Sequence, residues 1–261
     1  MSDIKLILGD CIEKMKDIPD GSIDAIITDP PYGTTACKWD SIIPLEPMWE
    51  QLKRVIKPNG AIVMTASQPF TSALVMSNPK MFKYEWIWKK NRGSGHLNAK
   101  KMPMKYHENI LVFSKGSPVF YPIRQEYSRT SKDRYSEGEI WKPKKKISDD
   151  NIVYGKFKSD NRVFINPNGK CPESVQEFKT VAIQNGDRIH PTQKPVALME
   201  YLIKTYTNEG ETVLDFTMGS GSTGVACAKT NREFIGIEKD EGYFKIAKDR
   251  IQEYQSQGRL F

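Results

Sequence analysis

A chain of 261 residues and 29.8 kDa has room for one α/β domain with an insertion, or for two small domains sharing an interface, and the first is expected. Its hydrophobic share of 38%, with 10% aromatics, supports a packed core, while no apolar run approaches the roughly 20 residues that a membrane span needs. The formal charge of +7 is unevenly placed, with 21 Lys and Arg against 9 Asp and Glu between Lys80 and Lys170, and 18 against 23 elsewhere.

That basic middle is interleaved with aromatics, among them Tyr84, Trp86, Trp88, Tyr106, Tyr121, Trp141 and Phe164, a mixture suited to phosphates and bases. A lysine-rich solubilising surface is the plainer explanation of a basic stretch. Confinement to one segment between two acidic, motif-bearing ends favours nucleic acid. The start, Met1-Ser2-Asp3-Ile4-Lys5, carries an acid and runs directly into a strand pattern, so no signal peptide is visible. Cys11, Cys37, Cys171 and Cys227 form no CxxC pair, and His96, His107 and His190 are scattered. Reduced thiols, a cytoplasmic location and no metal site are expected.

In chain order, Ile4 to Leu8 reads as a strand ending at Gly9-Asp10, Cys11 to Lys16 as a helix start, and Ile23 to Thr28 as a second, buried strand. Leu45 to Ile56 carries Leu45, Met48, Trp49, Leu52, Val55 and Ile56 on one helical face, and Pro58-Asn59-Gly60 stops it. Strands follow at Ala61 to Thr65, Tyr84 to Trp88 and Asn109 to Phe113. From about Gly116 to Asp187 the rhythm breaks into a Ser-, Lys-, Asn-, Pro- and Tyr-rich stretch, so residues 116–187 are expected to form an insertion between catalytic segments 1–115 and 188–261. Its run Lys142-Pro143-Lys144-Lys145-Lys146 suits either a phosphate clamp or an exposed loop. Regularity returns with a helix from Val196 to Tyr206, a strand from Glu211 to Phe216, a glycine turn, a helix to Lys229, a strand from Glu233 to Glu238 and a closing helix from Tyr243 to Tyr254.

Two motifs carry chemistry. Asp29-Pro30-Pro31-Tyr32 follows the buried strand directly. The two prolines lack N–H donors, which keeps this turn out of the ladder and leaves its carbonyls free beside the Asp29 carboxylate and the Tyr32 ring. The second motif, Gly219-Ser220-Gly221-Ser222-Thr223-Gly224, sits between a strand and a helix, and Glu238 ends the following strand. Such glycines permit a tight turn with close ligand approach, and the acid can accept ribose hydroxyls, which describes a nucleotide-type cofactor site. NAD and S-adenosylmethionine both satisfy it.

Pairing the two motifs separates these cofactors. A dehydrogenase has no use for a Pro-Pro turn exposing a carboxylate. The exocyclic amine of adenine is a poor nucleophile because its lone pair is delocalised. Acceptors at the Asp29 carboxylate and the Pro30 carbonyl, each taking one N–H, favour a tetrahedral nitrogen whose lone pair points at a methyl donor. Tyr32 then stacks on a base rotated out of the duplex.

On these residues the chain resembles the β-class, permuted amino-methyltransferases of DNA, in which a DPPY tetrapeptide precedes a target-recognition region, a pre-helix segment and an FxGxG-type cofactor loop. The resemblance covers roughly Ile4 to Phe113 and His190 to Tyr254. It implies a circularly permuted, Rossmann-like S-adenosylmethionine-dependent methyltransferase fold, with a mixed, mostly parallel sheet and a basic target-recognition insertion. It also implies methyl transfer to N6 of adenine in double-stranded DNA, since the SPPY form is typical of N4-cytosine enzymes. Members are often dimers, and a partner restriction endonuclease is a further implied association.

Carried over by position, the family implies a catalytic Asp29, Pro30, Pro31 and Tyr32. Asp215, Phe216, Thr217, Gly219, Ser220 and Gly221 fall in the cofactor loop, and Glu238 at the ribose. Asp10 faces the cofactor adenine with Cys11 or Ile12 near its ring, although an N-cap role for Asp10 is open. In His190-Pro191-Thr192-Gln193-Lys194-Pro195, Thr192 and Lys194 are implied contacts of the cofactor carboxylate. The loop Asp215-Phe216-Thr217-Met218-Gly219 departs from the usual Asp-Pro-Phe-x-Gly by shifting the aromatic one place.

N4-cytosine transfer, methylation of RNA or of a protein amide, and a catalytically idle DNA-binding module are the alternatives. C5-cytosine transfer needs a Pro-Cys nucleophile, and no cysteine here follows a proline. Trp39-Asp40 suits a lid, a DNA contact or a buried anchor.

Overall fold

The computed structural model describes residues 2–34, 40–126, 150–151, 155–156, 169–181 and 193–257. It resolves into two compact units, Met1–Tyr121 with Ser174–Phe261, and Pro122–Glu173.

The larger unit contains β1 (Ile4–Leu8), α1 (Cys11–Met15), β2 (Ile23–Thr28), α2 (Leu45–Val55), β3 (Ile56–Ala66), α3 (Phe70–Ser77), β4 (Phe82–Ser94) and β5 (Lys105–Phe113). In the smaller unit, β6 (Asp150–Asn151) pairs with β7 (Gly155–Lys156), and Gln125 bridges Lys170. The larger unit resumes with β8 (Val175–Phe178), α4 (Val196–Tyr206), β9 (Thr212–Asp215), α5 (Ser222–Lys229), β10 (Glu233–Glu238) and α6 (Glu241–Gln257).

One eight-stranded sheet runs β1-β10-β9-β2-β3-β5-β4-β8. From β1 to β3 every neighbouring pair is parallel, and β5 is antiparallel to both β3 and β4. Strand burial explains why β2 reads as a continuous apolar run: its side chains alternate between two cores. Ile26, Ile62, Met64 and Leu214 face one core with Trp49 and Leu52 of α2 and Leu74 of α3. Ala25, Ile27, Val63 and Val213 face the other with Leu202 of α4, Ala226 of α5 and Ile251 of α6. Helices therefore cover both faces, the doubly wound α/β arrangement expected from the sequence.

The chain leaves β9 through α5 toward β10, and leaves β2 through α2 toward β3, on opposite sides of the β9–β2 pair. Between those strands lies the switch point, where open α/β sheets bind ligands.

Differences from the sequence reading have local causes. Helix α3 went unread because Phe70 to Ser77 is short and holds β-branched Thr71 and Val75. Strands β4 and β5 run on to Ser94 and back to Lys105, since a hairpin ladder can continue over exposed polar residues. Strand β8, inside the stretch expected as insertion, pairs in parallel with β4 at the sheet's edge. The Lys142 to Lys146 run lies outside the described residues.

Candidate functional site

Strand β2 ends at Thr28 and delivers Asp29-Pro30-Pro31-Tyr32 to the C-terminal edge of the sheet. Asp29 Oδ1 accepts the Tyr32 hydroxyl at 2.6 Å and also the Thr65 hydroxyl, while Oδ2 accepts Lys194 Nζ at 2.6 Å. Phe70 stacks on the Tyr32 ring, with centroids 5.5 Å apart and planes 22° apart. Asp40 holds the turn that follows: its Oδ1 accepts the N–H groups of Tyr32 and Gly33 at 2.8 and 2.9 Å, and its Oδ2 that of Thr34 at 2.9 Å. This carboxylate therefore satisfies donors that the Pro-Pro turn leaves without a ladder. Trp39, its neighbour in the sequence reading, lies outside the described residues.

The glycine turn is tied to β2 by hydroxyls. Asp215 is buried, with Oδ1 accepting from Thr28 Oγ1 at 2.7 Å and Thr217 N–H at 3.1 Å, and Oδ2 from Thr223 Oγ1 at 2.6 Å. Burial pushes its carboxyl up to about 6, although the Thr223 and Thr28 hydroxyls and the Thr217 N–H pull the other way. Thr217 Oγ1 lies 2.6 Å from Thr28 Oγ1 and donates to the Asp29 carbonyl at 3.2 Å. Phe216, the displaced aromatic, is buried in the first core.

Glu238, at the end of β10, closes the turn from the far side. Its Oε2 accepts Gly219 N–H at 2.8 Å and its Oε1 accepts Asp240 N–H at 2.8 Å. Burial raises its carboxyl above the ordinary range against those N–H bonds. Gly221 has φ +79°, and a Cβ there would stand 2.9 Å from Ala247 Cβ, so its missing side chain lets the turn pack against α6. Ser220 Oγ accepts from Arg250 of the same helix at 3.1 Å.

Past β1, Asp10 N-caps α1 by accepting Ile12 N–H at 3.0 Å, with its second oxygen 3.6 Å from Lys239. Burial, then the Asp10 charge, pushes the Cys11 thiol up to about 11, which makes it a packing group and not a nucleophile.

These four strand ends open onto one cavity of about 750 Å³. Asp10, Cys11, Asp29, Pro30, Pro31, Tyr32, Lys194, Asp215, Phe216, Thr217, Gly219, Ser220 and Glu238 all line it. Gly221 does not, being turned to α6, and Thr192 lies outside the described residues. Lys194, which the resemblance assigned to a cofactor carboxylate, instead sits between Asp29 and Glu108, with Nζ 3.3 Å from Glu108 Oε2 and 5.6 Å from the Tyr32 ring centroid. Its own pKa is raised: burial lowers it, but the Asp29 and Glu108 charges prevail.

Thr28, Thr65 and Glu108 escaped the sequence reading, and Asp40, named there with Trp39, was not read as the group that holds the turn. Single polar residues at strand ends carry no local pattern. The one available signal was polarity inside apolar strands, at Thr28 in β2 and Thr65 in β3.

The connection between β4 and β5 stands at the same sheet edge, because Asn109 pairs with Ala66 where β3 ends. It exposes Arg92, Lys100 and Lys101, and Leu97 is fully exposed at its tip.

Residues 23–249 match the family model described as DNA methylase, of the N6/N4 type. The type II methyltransferase M.HpaI of Haemophilus parainfluenzae is 31% identical over 95% of this chain and 74% of its own length. M.BglII of Bacillus subtilis is 30% identical over 93% and 67%. Among solved structures, the M1.HpyAVI complex with SAM superposes with a TM-score of 0.63 at 27% identity, covering 95% of this chain and 98% of that one. The cytosine-N4-specific PvuII methyltransferase reaches a TM-score of 0.65 at 14% identity, covering 98% and 93%, a likeness of fold. Matched across both ends of the chain and through the strands that deliver Asp29 and the glycine turn, this protein belongs to the N6/N4 family of DNA methylases.

Proposed function

We propose that this methylase transfers a methyl group to the N6 amine of adenine within a specific sequence of double-stranded DNA, acting on a base rotated out of the helix. The observation that carries the reading is the shared cavity, in which the Asp29 turn and the Glu238-clamped glycine turn meet.

S-adenosylmethionine is the cofactor and supplies an electrophilic methyl group on a sulfonium. The cavity fits it chemically. Each Glu238 oxygen spends one acceptor position on a backbone N–H and keeps another for a ribose hydroxyl. Asp10 Oδ2 retains acceptor capacity for an amine, beside the apolar Cys11 and Ile12. At the N-terminus of α5, Ser222 Oγ is buried without a hydrogen-bond partner among the described residues and lines the cavity, so it suits the cofactor carboxylate better than the engaged Lys194 does.

On the substrate side, the Asp29 carboxylate and Pro30 carbonyl accept the two N6–H groups, which directs the nitrogen lone pair away from them. Thr217 holds the Asp29 carbonyl in place. The proton lost from N6 passes to Asp29 or to water. Exposed cations on the β4–β5 hairpin and the basic residues of the 116–187 sequence contact phosphates, and that stretch reads the target. A pairing with a restriction endonuclease is supported by the type II naming of the relatives.

Asp rather than Ser at position 29 supports adenine over the N4-cytosine reading, whose amine chemistry is the same. Mapping modified bases in DNA from cells that express the chain tests this: N6-methyladenine in one sequence context is expected, and N4-methylcytosine overturns it. Asp29→Ala should abolish transfer and spare cofactor binding.

A further inference from the structure

The Asp29 carboxylate already holds three donors, from Tyr32, Thr65 and Lys194. A target amine needs part of that acceptor capacity, and a flipped base needs a face of Tyr32. Lys194 stands in both places, 2.6 Å from Asp29 Oδ2 and 5.6 Å from the Tyr32 centroid. Removing a buried ammonium from its counter-ion costs several kcal/mol unless another charge receives it.

Such a charge is adjacent. Glu108 lies on β5 opposite Trp88. Lys90 Nζ binds its Oε1 at 2.5 Å, while its buried Oε2 makes no hydrogen bond among the described residues although Lys194 Nζ is only 3.3 Å away. Burial alone would raise the Glu108 carboxyl, but the Lys194 and Lys90 charges outweigh it and keep the group ionised. A small shift of Nζ thus exchanges one carboxylate for another and keeps the ammonium paired, leaves Asp29 with the Tyr32 and Thr65 hydroxyls, and frees its Oδ2 and the Tyr32 ring.

We propose that Lys194 is a displaceable plug in the base pocket, and that Glu108 is the positioning residue that receives it when the target amine binds Asp29. This rests on the reading of Asp29 as the amine acceptor. In the resting protein the plug keeps Asp29 and Tyr32 paired. On base entry, Lys194 turns to Glu108, which Lys90 holds in place.

The test compares wild type with Glu108→Gln and with Glu108→Gln/Lys194→Met, following S-adenosylmethionine binding by calorimetry and methyl transfer to unmodified DNA. Glu108→Gln leaves Lys194 no second counter-charge among the described residues, so kcat should fall roughly tenfold or more, the scale of a lost charged pairing. KM for DNA and cofactor affinity should change less than about threefold, because the block acts after binding. Adding Lys194→Met removes the plug and should restore part of the rate. Full activity in Glu108→Gln, or a further loss in the double variant, overturns the proposal. Should Glu108→Gln not fold, a structure of the wild type with a duplex carrying its mapped site decides: Lys194 hydrogen-bonded to Glu108 supports the exchange, and Lys194 still on Asp29 overturns it. Asp29→Ala in the same assay separates the two ideas, since transfer retained there sinks the acceptor reading itself.

Discussion

Thr28 Oγ1 donates to Asp215 Oδ1 across 2.7 Å, joining the strand that presents the Asp29 turn to the strand that presents the glycine turn. The two residues are 187 apart in sequence, and their bond fixes the distance between two half-sites at the switch point. Thr28→Val removes it nearly isosterically and leaves Oδ1 with only the Thr217 N–H. Stability should fall by about 1–3 kcal/mol, the cost of an under-satisfied buried acceptor. The urea midpoint measures it, and an unchanged midpoint means the bond contributes nothing net.

Asp215 also predicts a pH dependence of stability. Its carboxyl is raised by burial from 3.8 to about 6, so the folded state binds a proton more tightly than the unfolded state. Its stabilising contribution is therefore present below about pH 4 and lost as pH rises through about 6. Glu238 shifts in the same direction but is common to wild type and variant. The difference in Tm, wild type minus Asp215→Asn, should accordingly shrink between about pH 4 and pH 7. A difference that stays flat would show that Asp215 does not titrate in this window.

Gly221→Ala should destabilise the protein by about 1–2 kcal/mol from the left-handed backbone alone. The new Cβ adds a clash, being 2.9 Å from Ala247 Cβ. In an Ala247→Gly background the contact with the Cβ is removed, while the 3.0 Å approach to the Cα of residue 247 and the backbone strain stay, so the loss should be smaller there without vanishing. Equal losses in both backgrounds would show that the Ala247 Cβ contributes nothing to the effect.

Replacing Arg92, Lys100 and Lys101 of the β4–β5 hairpin with Glu should weaken DNA binding and flatten its salt dependence by up to about 0.9 per lost phosphate contact. All three are exposed, so Tm should hold. An unaltered salt slope would place the DNA elsewhere.

Much of the architecture was legible in neighbouring residues. The continuous apolar run of β2, the N-cap at Asp10, the glycine turn and the unladdered Pro-Pro turn are each encoded within a few positions. The resemblance implied a permuted, Rossmann-like, mostly parallel sheet, and β9, β10 and β1 pair in succession with β2 beside β9. Less legible were α3, too short to show a helical face, and β8, four residues long at an edge.

By itself the sequence determined which groups are present at the strand ends: a carboxylate beside two prolines, a glycine turn, and an acid one strand later. Only the tertiary structure decided how they pair. Lys194 reaches Asp29 from 165 residues away, Glu108 arrives because β5 runs antiparallel to β3, and Gly221 turns to Ala247 and away from the cavity. The reason is physical. Backbone conformation follows from local sterics and periodicity, whereas the partner of a buried charge depends on strand order and register, which no single segment contains.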